Sequence, residues 1–321
     1  MDQENKLKVF CGNGNRPLAQ KIANVFGKDL GKCKIVRFSD GEVYINIEES
    51  VRDNDVYIIQ STNGNVNEYY MELMIMIDAM KRASAKTINV VLPYYGYSRQ
   101  DRKSLPHEPI TAKLIANMIT IAGATRVLTL DLHTVQIQGF FDIPLDNLFT
   151  IPLFANHLIE HDMHGDHYVV VAPKNSGIER ARELAEYLDT TIAIVDQDSE
   201  KGYVIGDVTN KTCIIIDDML NTGTTVSKAS ALLMEANATE VFVCASHAIL
   251  SNHAKQLLEQ SPITEIFVTD SCEVDKDRQP NQLTYISCAP LIGEAMKRIY
   301  EQESMSPLFG LEGIKGISQE N

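Results

Sequence analysis

The feature that most limits what this chain can fold into is a rhythm. A short β-branched run, a loop, and a segment with helical apolar spacing recur along most of the sequence. Apolar runs at 56–60, 88–92, 126–130, 168–172, 191–195, 212–216, 241–244 and 266–269 predict strands. Helical periodicity predicts helices over 17–26, 72–83, 111–122, 177–188, 226–236 and 289–300. Several strands are apolar nearly throughout, as when helices cover both faces of a parallel sheet. Such alternation defines an α/β protein with doubly wound, mainly parallel sheets. A proline-containing stretch at 142–152 interrupts the rhythm, and a new strand–helix series follows it. The expected organisation is one α/β domain over 1–150, a second over 151–303, and a poorly ordered Gly-, Ser- and Glu-rich tail over 304–321.

A length of 321 residues suits two such domains, and 44% hydrophobic residues suffice for their cores. The formal net charge of −14 argues against a nucleic-acid partner, because phosphate backbones are held by positive surface. No apolar run is long enough to cross a bilayer and the start is polar, so a cytoplasmic protein without a membrane partner is expected. The cysteines, Cys11, Cys33, Cys213, Cys244, Cys272 and Cys288, are scattered without a C-x-x-C pair. Neither a disulfide framework nor a zinc ribbon is expected, and Cys213 and Cys244 read as small core residues of strands.

In open α/β sheets ligands bind beyond the carboxyl ends of the strands, so the loops after each strand matter most. The run Ile214-Ile215-Ile216-Asp217-Asp218-Met219-Leu220-Asn221-Thr222-Gly223-Thr224-Thr225 takes two carboxylates to a strand mouth and enters a helix through a hydroxyl-rich turn. Carboxylates can hold ribose hydroxyls, and free amides at a helix start suit a phosphate. Absence of G-x-x-x-x-G-K-[ST] excludes a P-loop. After another apolar strand comes Pro93-Tyr94-Tyr95-Gly96-Tyr97-Ser98-Arg99-Gln100-Asp101-Arg102-Lys103. Its rings offer stacking faces and its guanidinium groups match phosphate oxygens in pairs. A third stretch, 130–146, places Asp131 and His133 in alternation at a strand end, with Asp142 and Asp146 beyond. Carboxylates and an imidazole suit a divalent ion carrying nucleotide phosphates. A fourth, Arg37-Phe38-Ser39-Asp40-Gly41-Glu42, is a polar turn or a grip for a purine or ribose.

Two patterns point elsewhere. His157-Leu158-Ile159-Glu160-His161 has H-x-x-E-H spacing but lacks the context of a zinc peptidase, and a solvated helix face explains it better. Gly12-Asn13-Gly14-Asn15 follows a strand but lacks the third glycine of a dinucleotide fingerprint, so it reads as a turn near a ligand at most.

Taken together, these stretches resemble the ribose-phosphate pyrophosphokinases, also called phosphoribosyl pyrophosphate synthetases, over about 8–300. Residues 131–146 fit the family signature at every defined position. The resemblance implies two phosphoribosyltransferase-like domains and transfer of the diphosphoryl group of ATP to ribose 5-phosphate, releasing AMP. It also implies Mg²⁺ and a homo-oligomer, commonly a hexamer. By the same resemblance Phe38, Asp40, Glu42, Arg99 and Gln100 would bind ATP, the first three usually that of a neighbouring subunit. His133 would ligate Mg²⁺, with Asp131, Asp142 and Asp146 as further metal-site carboxylates. Asp217, Asp218, Asn221, Thr222, Gly223, Thr224 and Thr225 would hold ribose 5-phosphate.

Four departures fall in the second half. Where the family has S-P-D-x-G-G this chain has Ala172-Pro173-Lys174-Asn175-Ser176-Gly177, so a lysine replaces a metal-reaching aspartate. Where it has a Lys-Arg pair after Asp196, this chain has Gln197-Asp198-Ser199 and a shorter loop, with Lys201 the nearest substitute. Asn221 replaces an aspartate and Thr224 a glycine. The expected loop cations being absent, no catalytic residue is assigned. Two readings stay open: a pyrophosphokinase with a rearranged second domain, or a silent paralogue that binds nucleotide and co-assembles with or regulates an active synthetase. An ordinary phosphoribosyltransferase fits the paired domains and the 131–146 signature poorly.

Overall fold

Burial follows the rhythm of the sequence. In a computed structural model, which describes residues 6–197, 202–251 and 253–319, the apolar runs form strands whose interiors are almost completely buried. In chain order come β1 (Leu7–Cys11), α1 (Arg16–Val25), β2 (Cys33–Arg37), β3 (Val43–Ile47), β4 (Asp55–Ile59), α2 (Val66–Arg82), β5 (Thr87–Leu92), α3 (Thr111–Ala122), β6 (Arg126–Leu130) and β7 (Leu145–Leu148). Then follow α4 (Ile151–Glu160), β8 (Tyr168–Ala172), α5 (Ile178–Tyr187), β9 (Thr191–Asp196), β10 (Tyr203–Ile205), β11 (Thr212–Leu220), α6 (Thr224–Glu235), β12 (Glu240–Ala248), α7 (Ala254–Glu259), β13 (Glu265–Thr269), β14 (Leu283–Ile286), α8 (Ala289–Glu301) and α9 (Leu311–Gln319). Two compact units result: the chain up to Leu148 with Ala289–Met305, and Phe149–Cys288 with the chain from Ser306.

Among its described residues, the first unit holds a parallel sheet in the order β1-β4-β5-β6-β7 and a separate antiparallel hairpin, β2-β3. The strands are added in one direction, and right-handed crossovers between β4, β5 and β6 then place α2 and α3 on one face. Val56, Ile58, Val90 and Val127 of that face pack with Leu73, Met76 and Ile77 of α2 and Ile115 and Ile119 of α3. The opposite face is covered by α1 and α8. Tyr57 of β4 lies 6.0 Å, ring to ring, from Phe26, and its hydroxyl donates to the Met296 carbonyl of α8 at 3.3 Å. The helix expected over 289–300 therefore forms, but it belongs to the first unit, where it packs beside α1 over the second sheet face.

The second unit's sheet runs β10-β9-β8-β11-β12-β13-β14, parallel except for β10. Strand order reverses between β8 and β11, and β8 pairs with β11 only as far as Val171↔Ile215 while β11 continues to Leu220 beside β12. A crevice therefore opens at the carboxyl end of β8, the topological switch point where α/β sheets receive ligands.

The H-x-x-E-H residues lie at the solvated end of α4, with Glu160 and His161 exposed; the half-buried His157 ring sits 5.0 Å from Phe267, and the rest of the helix buries Ile151, Phe154, Ala155 and Leu158. One expectation is corrected in this unit. The tail is not without structure: α9 buries Ile314, Leu308 just before it is also buried, and Phe309 packs 6.0 Å from Phe149. No described helix is long and apolar enough to cross a membrane. All six cysteines are free, and burial raises the thiol pKa of Cys213 to about 12.

Candidate active site

At the switch point, β11 carries Asp217 and Asp218 as strand residues, each about 2% exposed, rather than as the first residues of a loop. Burial and the neighbouring Asp218 carboxylate push the Asp217 pKa up to about 6, against an opposing pull from Lys174. Lys174, just past β8, places its ammonium 3.3 Å from Asp217 Oδ2. Arg180, in the first turn of α5, reaches within 4.0 Å of Asp218 Oδ1. Sequence reasoning missed Arg180, because one arginine in an Ile-Glu-Arg-Ala-Arg-Glu run has nothing to separate it from a solvated helix face.

The chain then turns through Asn221 and Thr222 to Gly223, whose φ of +76° caps α6. A side chain at Gly223 would be strained by that angle, and a Cβ would stand 2.9 Å from Leu258 Cγ. Gly223 offers α6 no side-chain cap; the Thr224 amide donates weakly to Thr222 Oγ1 at 3.4 Å, and a helix start of this kind suits an anion. Thr222 and Thr224 are exposed with hydroxyls 3.0 Å apart, and the Asn221 carbonyl accepts from the Ser251 amide at 2.8 Å. Gln197 ties this turn to the β8 loop, its Nε2 donating to the carbonyls of Pro173 and Thr225 at 2.9 Å each. Asp198, Ser199 and Lys201 lie outside the described residues.

In the first unit the loop after β5 is built differently from its sequence reading. Tyr94 and Tyr95 are buried and offer no open stacking face; Tyr95 donates to the Ala112 carbonyl at 2.8 Å, fixing the loop to α3. Tyr97 stacks on Tyr70 at 6.1 Å, and Tyr70 donates to the Gly96 carbonyl at 2.8 Å. The rings are scaffolding, and what they present outward is Arg99 and Gln100, both exposed. Gln100 accepts from the Thr111 hydroxyl at 2.5 Å, and Asp101 accepts from the Thr134 hydroxyl at 2.7 Å, which joins this loop to the one after β6.

That second loop begins at Asp131, buried, with φ +40°. β6 has ended by then, so Asp131 and His133 are turn residues rather than an alternating strand pair. Asp131 donates its amide to the Leu148 carbonyl at 2.8 Å, and the Leu132 amide donates to Asn147 Oδ1 at 3.0 Å, leaving Asn147 Nδ2 buried with no partner. His133 is half-buried. Asp142 is exposed, 3.9 Å from Lys113. Asp146 pairs with Leu128 in the sheet and forms an ion pair with Arg126, which places it toward the amino end, away from Asp131. Among the described residues no three His, Cys, Asp or Glu side chains converge to hold a metal ion.

Phe38, Asp40 and Glu42 form the tip of the β2-β3 hairpin. Gly41 has φ +96°, the Glu42 amide donates to Asp40 Oδ1 at 3.1 Å, and the exposed Phe38 ring lies 5.9 Å from that of Tyr44. The Gly12–Gly14 turn carries no free cradle: the Asn13 amide donates to Glu72 at 3.0 Å and the Gly14 amide to Gln60 at 2.9 Å.

Paired carboxylates at the switch point of a mainly parallel sheet, followed by a helix-capping hydroxyl turn, define a phosphoribosyltransferase-type α/β protein. The comparisons with known proteins narrow this. Residues 7–123 match the N-terminal domain of ribose phosphate pyrophosphokinase, and 200–310 match the phosphoribosyl synthetase-associated domain. An Enterococcus faecalis protein provisionally named ribose-phosphate pyrophosphokinase 1 is 59% identical over 97% of both chains. Ribose-phosphate pyrophosphokinase 2 of the same organism is 55% identical over 95% of this chain and 96% of its own. The crystal structure of phosphoribosylpyrophosphate synthetase from Mycobacterium smegmatis superposes with a TM-score of 0.89 at 37% identity, covering 93% of this chain and 100% of that one. The chain belongs to the ribose-phosphate pyrophosphokinase family, a family of transferases.

Proposed function

We propose that this chain transfers the diphosphoryl group of ATP to the 1-hydroxyl of ribose 5-phosphate, giving 5-phosphoribosyl 1-diphosphate and AMP. The observation that carries this is the switch-point site: buried Asp217 and Asp218 shortly before a Gly223-capped helix with a hydroxyl-rich first turn. The carboxylates accept from ribose hydroxyls, while the start of α6 and the hydroxyls of Thr222, Thr224 and Thr225 receive the 5-phosphate. Arg99 and Gln100 take the nucleotide phosphates, and Phe38, Asp40 and Glu42 grip the adenosine of a neighbouring copy.

Mg²⁺ fits the first unit as a companion of the nucleotide. Magnesium is usually held by one or two protein groups plus substrate phosphates, and the loop after β6, which bears Asp131, His133 and the exposed Asp142 without a convergent set of three, suits that arrangement. Asp146, committed to Arg126, is left out of it. The ion supplies charge neutralisation on the phosphates; the chain supplies position, which dominates phosphoryl transfer.

A second reading is favoured by one contact. Lys174 sits 3.3 Å from Asp217 where the family has an aspartate, and Gln197 stands where cations are expected. A like-charge pair at about 4 Å and an effective dielectric near 20 costs roughly 4 kcal/mol, enough to repel a divalent ion from this spot. On this reading the chain binds nucleotide and regulates or joins an active synthetase.

AMP release from ATP, ribose 5-phosphate and Mg²⁺ separates the two. Turnover is expected, and Arg99→Ala should lower kcat/KM by about 10–100-fold, the loss of a charge-assisted contact worth roughly 1.5–3 kcal/mol. No AMP release alongside calorimetric ATP uptake would replace the first reading with the second.

A further inference from the structure

The crevice beyond β8 already contains its cations. Asp217 and Asp218, both buried, are faced by Lys174 at 3.3 Å and Arg180 at 4.0 Å, so two negative charges meet two positive ones. A divalent ion placed against Asp217 would meet the Lys174 ammonium at the same oxygen. Among the described residues, no third carboxylate, imidazole or thiolate is placed to complete a metal shell. The loop carrying Lys174 is also held: Gln197 bonds the Pro173 carbonyl immediately before it and the Thr225 carbonyl of the phosphate turn, each at 2.9 Å.

We infer that Lys174 takes the place of a metal ion at the sugar subsite, so that this unit binds ribose 5-phosphate without a divalent cation. The inference rests on the sugar-phosphate reading of the 217–225 site. An ammonium has three donors. One is directed at Asp217, which leaves two for ribose hydroxyl oxygens at the mouth of the crevice. A metal would polarise those oxygens and bridge them to the carboxylates; the lysine bridges them by hydrogen bonds instead, with no requirement for dissolved magnesium. Lys174 is a specificity residue here, setting what the subsite needs rather than acting on the reacting atoms.

The test is calorimetric titration of the full chain with ribose 5-phosphate alone, once with excess EDTA and once with excess magnesium chloride. The readout is binding and needs no turnover. The wild-type Kd should agree between the two conditions to within about twofold, well under the tenfold that corresponds to one lost ionic contact. Lys174→Met should weaken binding by about tenfold or more in both. Lys174→Asp should bind poorly in EDTA and recover in magnesium, because it restores a carboxylate where the ammonium stood. Lys174 is partly solvent-exposed, and a thermal melt of each variant verifies that it folds. Wild-type binding that appears only with magnesium overturns the role of Lys174 and leaves the sugar-phosphate site standing. Absence of binding in both conditions overturns the sugar-phosphate reading, and this inference with it.

Discussion

Asp217 has the most to lose from its position. It is buried, it adjoins a second carboxylate, and its pKa is raised to about 6 while an unfolded aspartate titrates near 3.8. Between those values the native chain holds a proton that the unfolded chain has released. The contribution is therefore fully present below about pH 4 and lost as pH rises through about 6. Asp217→Asn removes this dependence. Urea unfolding should show the variant gaining stability relative to wild type as pH goes from about 4 to above 6, with a flat difference beyond. A difference that shrinks over that interval would mean that Lys174 dominates the environment of the carboxyl. Ribose 5-phosphate binding should fall in the same variant, because a neutral amide is a weaker acceptor for sugar hydroxyls than a carboxylate.

At the scale of elements, the decisive contact is the one between α1 and α8. A Cβ built on Gly293 would lie 2.6 Å from Val25 Cγ1, so the two helices meet where only a glycine fits. Gly293→Val should destabilise the first unit by roughly 1–3 kcal/mol, an overpacking cost read from the urea midpoint. An unchanged midpoint would show that α8 does not depend on α1. Such packing is not legible in the sequence, which marks 289–300 as helical but carries no sign of which sheet face it covers. What was legible is what burial dictates: the inner strands β4, β5, β6, β8, β11, β12 and β13 are apolar runs, and α3 shows clean helical spacing. The short or half-exposed pieces were not. β2, Cys-Lys-Ile-Val-Arg, is a hairpin strand with no fully buried residue, β7 carries Asp146 and Asn147, and β10 has three residues. Of α4 only the polar end at His157–His161 read as helical, because the turns before it are buried on most sides and show little polar face. The candidate site follows the same division. Its residue types were visible in 217–225 and around Arg99, whereas the Lys174–Asp217 pair, Arg180 and the Gln197 clamp depend on strand order and could not be read along the chain.

For the molecule as a whole, α3 carries the feature that a single chain does not explain. Ile110 just before it and Leu114, Met118 and Ile121 within it are exposed, Leu114 and Ile121 at 55% and 78%. Spacings of four, four and three residues align them as one stripe, opposite the buried Ala112, Ile115 and Ile119. We propose that this apolar stripe is where a second copy of this chain docks, the homo-oligomer that the family resemblance implies. The β2-β3 hairpin enters the same proposal, because Phe38 at its tip is exposed and the family resemblance assigns it the adenosine of a neighbouring copy. The two arguments are linked in one experiment. Leu114→Asp with Ile121→Asp places two charges on the stripe and should weaken association by about 100-fold or more, seen by light scattering as a fall toward the monomer mass. Circular dichroism of the variant should match wild type, since both side chains are on the outside. ATP affinity should drop together with the mass, although neither substitution touches Arg99, Gln100 or His133. If the mass falls and ATP affinity does not, Phe38 serves no nucleotide across subunits; if the mass is unchanged, the stripe is not where the copies meet.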